Sequence, residues 1–396
     1  MQRLLTKVFR RLGYLYAQAA FGWPAVAAKR GRARVTAAQG GGPLVVVRVD
    51  AIGDFVVWLA AAERLVALHR PRRAILIANR IFADLARASG VFEEVLAVDR
   101  DAFLGDWRYC LAALRKTRSL GAAIAIHPTY SRNFWIGDAL IRATAAPERI
   151  GYDGDVHNMR PWQKRLSDRW YTGLVSARPE PLHELQRNEE FLRGLGDSSA
   201  QPTVARIGRV AELPEALRQS PEYFVIVPGA GNFRRMWPID RFARLACAVA
   251  ERHGLRLVVC GSAGEQSLAK NLARQSGLAD ALVLAGLTSV PELVEIIRRA
   301  RLVIANDSSA IHIAAAVATP SLCLLGGGHF GRFIPYPEDR RGPATIAVHA
   351  GMPCFGCNWR CTLRHAPDGP YPCIEAITLE AAIAAAMEAL AVKETP

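Results

Sequence analysis

The first 43 of the 396 residues contain no aspartate or glutamate, so Arg3, Lys7, Arg10, Arg11, Lys29, Arg30, Arg32 and Arg34 stand there unopposed. The apolar stretch between these basic clusters, LGYLYAQAAFGWPAVAA, is interrupted by Gln18 and Pro24. It is short for a membrane span, which needs ~20 apolar residues. No Gly-x-Gly-x-x-Gly follows the first strand of either half, which counts against a dinucleotide oxidoreductase. The glycine spacing and Lys-Ser/Thr pair of a Walker motif are missing as well. Zinc-finger spacing with paired histidines, an RRM signature and a basic region leading into heptads are all absent, so nucleic acid drops as a partner.

What the chain does have is the composition of a globular protein able to bury real cores, 51% apolar and 22% charged. Its length suggests two or three domains at ~150 residues each. A formal charge of +14, with arginine far outnumbering lysine, points to an anionic partner. Nucleic acid, anionic lipid and a phosphorylated substrate all satisfy that requirement. Residues 1–43 read as a basic extension, either unstructured or an interfacial helix on anionic lipid. A signal peptide, with its small-residue Ala25-Val26-Ala27, is the less favoured reading. Residues 38–43 look like a linker.

From Leu44 the chain alternates between short apolar runs and helical patterns. Leu44 to Val49 is a buried strand, followed by Asp50-Ala51-Ile52-Gly53-Asp54 and a helix from Phe55 to His69. By position alone Asp54 suits a helix N-cap, and Gly53 permits close approach of a backbone or ligand. Further βα units follow, with an edge strand at Arg149 to Tyr152 and an aperiodic basic, aromatic segment at 153–181. The alternation restarts at Tyr223 to Val227, followed by Pro228-Gly229-Ala230-Gly231-Asn232-Phe233-Arg234-Arg235, a glycine-rich turn with two arginines that suits an anion. Leu302 to Leu325 is a further βαβ unit. Its turn, Asn306 to Ser309, lies at the carboxyl end of a parallel strand, where open α/β sheets place ligands. Ser308 and Ser309 open the helix, where free N–H groups and the helix dipole favour phosphate. Asp307 and His312 flank them; the competing reading makes these a helix cap and a satisfied core histidine. Two such α/β units in succession imply two Rossmann-like domains with a crevice between them.

Five segments together resemble glycosyltransferase family 9, the ADP-heptose:lipopolysaccharide heptosyltransferases. They are VVVRVDAIGDFV, RIGY, HELQRN, PGAGNFRRMWP and NDSSAIHIAAA, in that order over Leu44 to Ile377. The resemblance implies an α/β protein of GT-B fold. It divides the chain into the extension 1–43, an acceptor domain 44–205 and a nucleotide-sugar donor domain 206–396. It also implies an inverting transfer, without a catalytic cofactor or divalent metal, from ADP-heptose to a lipopolysaccharide core or other envelope glycan. The enzyme would be cytoplasmic, peripheral at the inner membrane. Asp54 then aligns with the general base, with Arg48, Asp50 and Gly53 on the acceptor side. Arg235 aligns with a diphosphate-binding lysine and Glu265 with a nucleoside-binding glutamate. Asp307, Ser308, Ser309 and His312 align with the Asp-Thr-Gly…His donor site. Here Asp50-Ala51-Ile52 stands where relatives carry Ser-Ser or Ser-Leu, and Ser309 replaces a glycine. An epimerase or hydrolase of the same fold, a non-enzymatic assembly module and heptosylation of a protein acceptor are the competing expectations.

Cys354, Cys357, Cys361 and Cys373 form C-x2-C-x3-C-x11-C. Four thiolates at this spacing suit a tetrahedral structural zinc or iron ion; two disulfides or four free thiols are the alternatives. Cys110, Cys247, Cys260 and Cys323 lie in apolar elements and read as core residues.

Overall fold

The computed structural model describes residues 29–31, 41–337 and 345–391. Nearly all of the expected N-terminal extension, including the interfacial-helix and signal-peptide readings, lies outside the described residues. The chain divides into two compact units. One comprises the described residues up to Glu180 together with Leu185–Pro202; the other comprises Pro181–Glu184 and the described residues from Thr203 on.

The first unit holds a parallel sheet with seven strands among the described residues. They are β1 (Lys29–Gly31), β2 (Leu44–Arg48), β3 (Ala74–Asn79), β4 (Glu94–Val98), β5 (Ile124–His127), β6 (Glu148–Tyr152) and β7 (Gly173–Val175). Their spatial order is β1-β7-β6-β5-β2-β3-β4. β2 is buried at every position, as befits a strand covered on both faces by helices. Val45, Val47, Ile75, Ile77 and Ala125 pack with Leu114, Ile136 and Leu140 in one core cluster. Helix α1 (Ile52–Leu68) follows β2 and buries Phe55, Trp58, Leu59 and Leu65.

Three expectations change here. Lys29–Gly31, placed in the extension, adds a strand beside β7. β6 is an interior strand, paired with both β5 and β7. Its two least strand-like residues, Arg149 and Gly151, are accommodated inside the sheet. The Arg149 guanidinium is buried and donates to Trp170 O at 2.6 Å, and a Cβ at Gly151 would lie 2.4 Å from the Tyr171 ring. The segment 153–181, read as irregular, contains a helix at Pro161–Ser167 and strand β7.

The second unit has a six-stranded parallel sheet among the described residues, in the order β10-β9-β8-β11-β12-β13. Its strands are β8 (Tyr223–Val227), β9 (Arg256–Val259), β10 (Leu282–Val283), β11 (Val303–Asn306), β12 (Ser321–Leu324) and β13 (Thr345–Val348). Helix α2 (Ile239–His253) starts after Pro238 and ends on Gly254 in the left-handed region, φ 63°, where glycine meets no Cβ penalty. Helix α3 (Ser309–Ala316) follows β11, and α4 (Leu379–Ala391) lies near the C-terminus. Phe224, Ile226, Phe242 and Leu257 share a core with Ala382, Ala386 and Ala389 of α4. Among the described residues no helix is long and apolar enough to cross a membrane.

Both sheets reverse their strand order at an identifiable point. In the first, successive strands run outward from β2 through β3 to β4, and from β5 through β6 to β7. In the second they run outward from β8 to β10 and from β11 to β13. Loops leaving the carboxyl ends at such reversals diverge and leave room for a ligand. The turns after β2, β5, β8 and β11 stand at these reversals.

Candidate active site

In the first unit, Asp54 is the third residue of α1 rather than its cap. Its Oδ2 accepts the Ala51 N–H at 3.2 Å, and Gly53 occupies the second helical position. Arg48, at the end of β2, is buried beneath the turn. It donates to Asp54 O at 3.1 Å, pairs with Asp50 at 2.7 Å and lies 5.2 Å from the Trp58 ring centroid. Its guanidinium thus organises the turn from below. Asn79 of neighbouring β3 fixes the same turn by donating to Asp50 O at 2.7 Å. Burial pushes the Asp50 carboxyl up to about 7 despite Arg48, and the Asp54 charge adds to the rise.

The turn after β5 rests on buried side chains that the sequence reading did not single out. Tyr171 OH donates to Asp138 at 2.6 Å and lies 2.9 Å from His127 Nδ1. Arg132 lies between Asp138, at 3.3 Å, and Asp168, and Lys164 joins Asp168 to Asp153. Burial opposes the Asp138 charge, but Arg132 and His127 outweigh it and hold the carboxyl at about 2. His127 is lowered, mainly by burial. A Cβ at Gly137 would lie 2.4 Å from the His127 ring, so glycine lets the π-helical turn Phe134–Asp138 pass over it. Positions 127, 132, 138, 168 and 171 follow no local period, so no sequence pattern could have announced the group.

In the second unit, Asn306 ties together the turns after β8 and β11. It is fully buried, accepts the Trp237 N–H at 2.9 Å and donates to Pro228 O at 2.7 Å. Ser308 is the N-cap of α3 and Ser309 its first residue. Ser308 Oγ and Arg235 Nε are buried with no hydrogen-bond partner among the described residues. Buried polar atoms are nearly always paired, so these two are exceptions, both on turns at the reversal of the second sheet. Burial lowers the Arg235 guanidinium, while the Asp307 carboxylate raises it. Glu265 turns back to accept from Ser262 N at 2.7 Å and Ser262 Oγ at 2.8 Å. Gly229 leaves room for it, since a Cβ there would lie 1.7 Å from Glu265 Oε1 and displace the carboxylate. His312 is a buried partner of Tyr336 OH, 2.7 Å from Nδ1. Burial, helped by His183, pushes it down to about 3 and keeps it neutral.

The four cysteines of the C-terminal segment are free thiols. Cys373 is buried and receives the Gly327 N–H at 3.4 Å. Burial pushes its thiol up, and the charges of Cys357, Cys354 and Cys361 add to this. Yet among the described residues no three His, Cys, Asp or Glu side chains are grouped to hold a metal ion. The segment turns Trp359 inward, 9% exposed, while Cys354, Cys357 and Cys361 remain partly exposed.

Residues 131–356, more than half of the chain, match the family described as glycosyltransferase family 9 (heptosyltransferase). Lipopolysaccharide heptosyltransferase 3 of Escherichia coli strain K12 is 34% identical over 214 residues, 52% of this chain and 60% of that protein. The chain spans about half the length of the curated relatives it matches. The structure of E. coli ADP-heptose LPS heptosyltransferase II aligns with a TM-score of 0.59 at 16% identity, over 89% of this chain and 100% of that one. The iron-containing dodecameric glycosyltransferase TibC from enterotoxigenic E. coli H10407 aligns with a TM-score of 0.55 at 16% identity, over 89% and 77%. These likenesses agree with two Rossmann-like units of the GT-B fold class. The chain belongs to glycosyltransferase family 9, the heptosyltransferase family.

Proposed function

We propose that the protein is an inverting glycosyltransferase that moves heptose from ADP-heptose to a lipopolysaccharide core or related envelope acceptor. The observation that carries this reading is the pair of unpartnered buried atoms, Ser308 Oγ and Arg235 Nε, beside the N-terminus of α3 at a sheet reversal. Helix amides, two serine hydroxyls and a guanidinium together make a seat for a diphosphate. Asp54 takes the proton of the acceptor hydroxyl, which attacks the anomeric carbon. The bond to the diphosphate breaks with its electrons, and the new charge falls on the α3 amides, Ser308, Ser309 and Arg235. Asp307 and Glu265 offer acceptor oxygens to hydroxyls of the sugar and nucleoside. His312, neutral and tied to Tyr336, shapes the floor of α3 and transfers no proton. The relatives' names support heptose and lipopolysaccharide. Arginine is a diphosphate donor here in place of lysine, with fork rather than point-charge geometry.

The basic residues 1–43 fit a cytoplasmic enzyme resting on the inner membrane, each Lys/Arg near an anionic surface being worth about 1 kcal/mol. Four thiols in one segment suit a structural zinc or iron ion by donor chemistry, and elemental analysis of the purified protein tests that part. The central test is calorimetric titration with ADP, UDP and GDP. The reading expects ADP binding that Ser308→Ala together with Arg235→Ala abolishes. Preference for UDP or GDP would replace the donor, and no nucleotide binding would sink the reading.

A further inference from the structure

The cysteine-bearing segment has a second feature besides its thiols. Trp359 and its neighbour Asn358 both sit in the left-handed region, at φ 60° and 50°. A bulky residue held there is a conformational outlier that persists only where its surroundings impose it. Those surroundings are the glycine turn after β12. A Cβ would lie 2.7 Å from the Trp359 ring at Gly326, 2.2 Å from it at Gly328, and 2.2 Å from the Phe355 ring at Gly327. Gly356 N donates to Gly327 O and Asn358 N to Gly328 O, both at 2.8 Å. Tyr371 stacks near Trp359 with centroids 5.7 Å apart. On this seated ring lies Arg235, its guanidinium carbon 4.3 Å from the centroid. The preceding Arg234 is fixed by the same segment, donating to Pro367 O at 2.9 Å and accepting from Tyr371 N at 2.8 Å.

We propose that Trp359 is a positioning residue for donor binding: the C-terminal segment presents its ring as a platform that aims Arg235 at the nucleoside diphosphate. This rests on the nucleotide-sugar reading above and deepens it. A guanidinium on a flexible stem loses rotamer freedom when it grips a phosphate. An indole face stacked beneath it fixes that geometry beforehand, and tryptophan is the best ring for the purpose. The segment thereby acquires a function independent of whether its cysteines hold an ion.

The full-length protein carrying Trp359→Leu, Trp359→Phe, Arg235→Ala and the Trp359→Leu/Arg235→Ala pair is titrated with ADP and with AMP. Trp359→Leu should weaken ADP binding roughly tenfold, the scale of a partly desolvated cation–π contact. Trp359→Phe, with a smaller ring, should restore most of it, and AMP binding should change by less than about twofold. On the Arg235→Ala background, loss of the ring should have no further effect on ADP. An effect of Trp359→Leu that is equal for ADP and AMP, or that adds in full to Arg235→Ala, means only general support of the fold and overturns the proposal alone. Wild-type protein that binds no ADP overturns the nucleotide reading and this proposal with it.

Discussion

Two carboxylates four residues apart divide the labour at the turn after β2. Asp54 accepts the Ala51 N–H in the first turn of α1, whereas Asp50 pairs with the buried Arg48. With its carboxyl raised to about 7 from 3.8, Asp50 keeps its proton in the folded chain over that interval. Its contribution to stability therefore falls as pH rises through the same window. Ionisation of Asp50 also places a second negative charge near Asp54, which favours proton uptake there. The expected profile of kcat/KM rises through an inflection near pH 7, and Asp50→Asn removes that inflection. Asp54→Asn should lower kcat by about 10²–10⁴-fold while leaving ADP binding intact. An inflection retained in Asp50→Asn assigns it to another group, and full activity in Asp54→Asn removes Asp54 from the chemistry.

At the scale of elements, Asn306 is the joint on which the donor side depends. Removing its side chain leaves the buried Trp237 N–H and Pro228 carbonyl without partners. Asn306→Ala should cost about 2–6 kcal/mol in urea unfolding of the protein, at ~1–3 kcal/mol per orphaned group. It should also weaken ADP, because the turn bearing Arg235 is no longer tied to the start of α3. An unchanged midpoint and affinity would show the joint to be dispensable. The sequence made the neighbours of this joint legible. Strand β8 lies where the alternation was expected to restart, and Ser308 and Ser309 open a helix as expected. The bond between Asn306 and Trp237 was not legible, since it joins positions 69 residues apart. Neither was the inward turn of Trp359, which glycines on another loop permit. His312 is a motif histidine that the structure buries, with its Nδ1 2.7 Å from Tyr336 OH.

For the whole molecule, the buried histidines set the response to acid. His312 in the second unit and His127 in the first are both held neutral by burial, as are His183 and His69. In the unfolded chain each binds a proton below its ordinary value of 6.5, and the folded units resist that uptake. The unfolded state then carries more protons, so stability is lost as pH falls below 6.5, down to about 3 for His312. Asp138 extends the loss, because its carboxylate is stabilised at about 2 against 3.8 in the unfolded chain. Both units should therefore soften in mild acid, before ordinary carboxylates titrate. His312→Gln keeps a hydrogen-bonding partner for Tyr336 but cannot gain a proton. Urea unfolding followed between pH 7 and 4 should show a shallower loss in the variant, by at most ~1.4 kcal/mol per pH unit for one proton. The slope rather than the offset is the diagnostic quantity, because the substitution changes packing at every pH. Parallel slopes for wild type and variant would show that His312 takes up its proton equally in both states and that burial in α3 does not govern acid sensitivity.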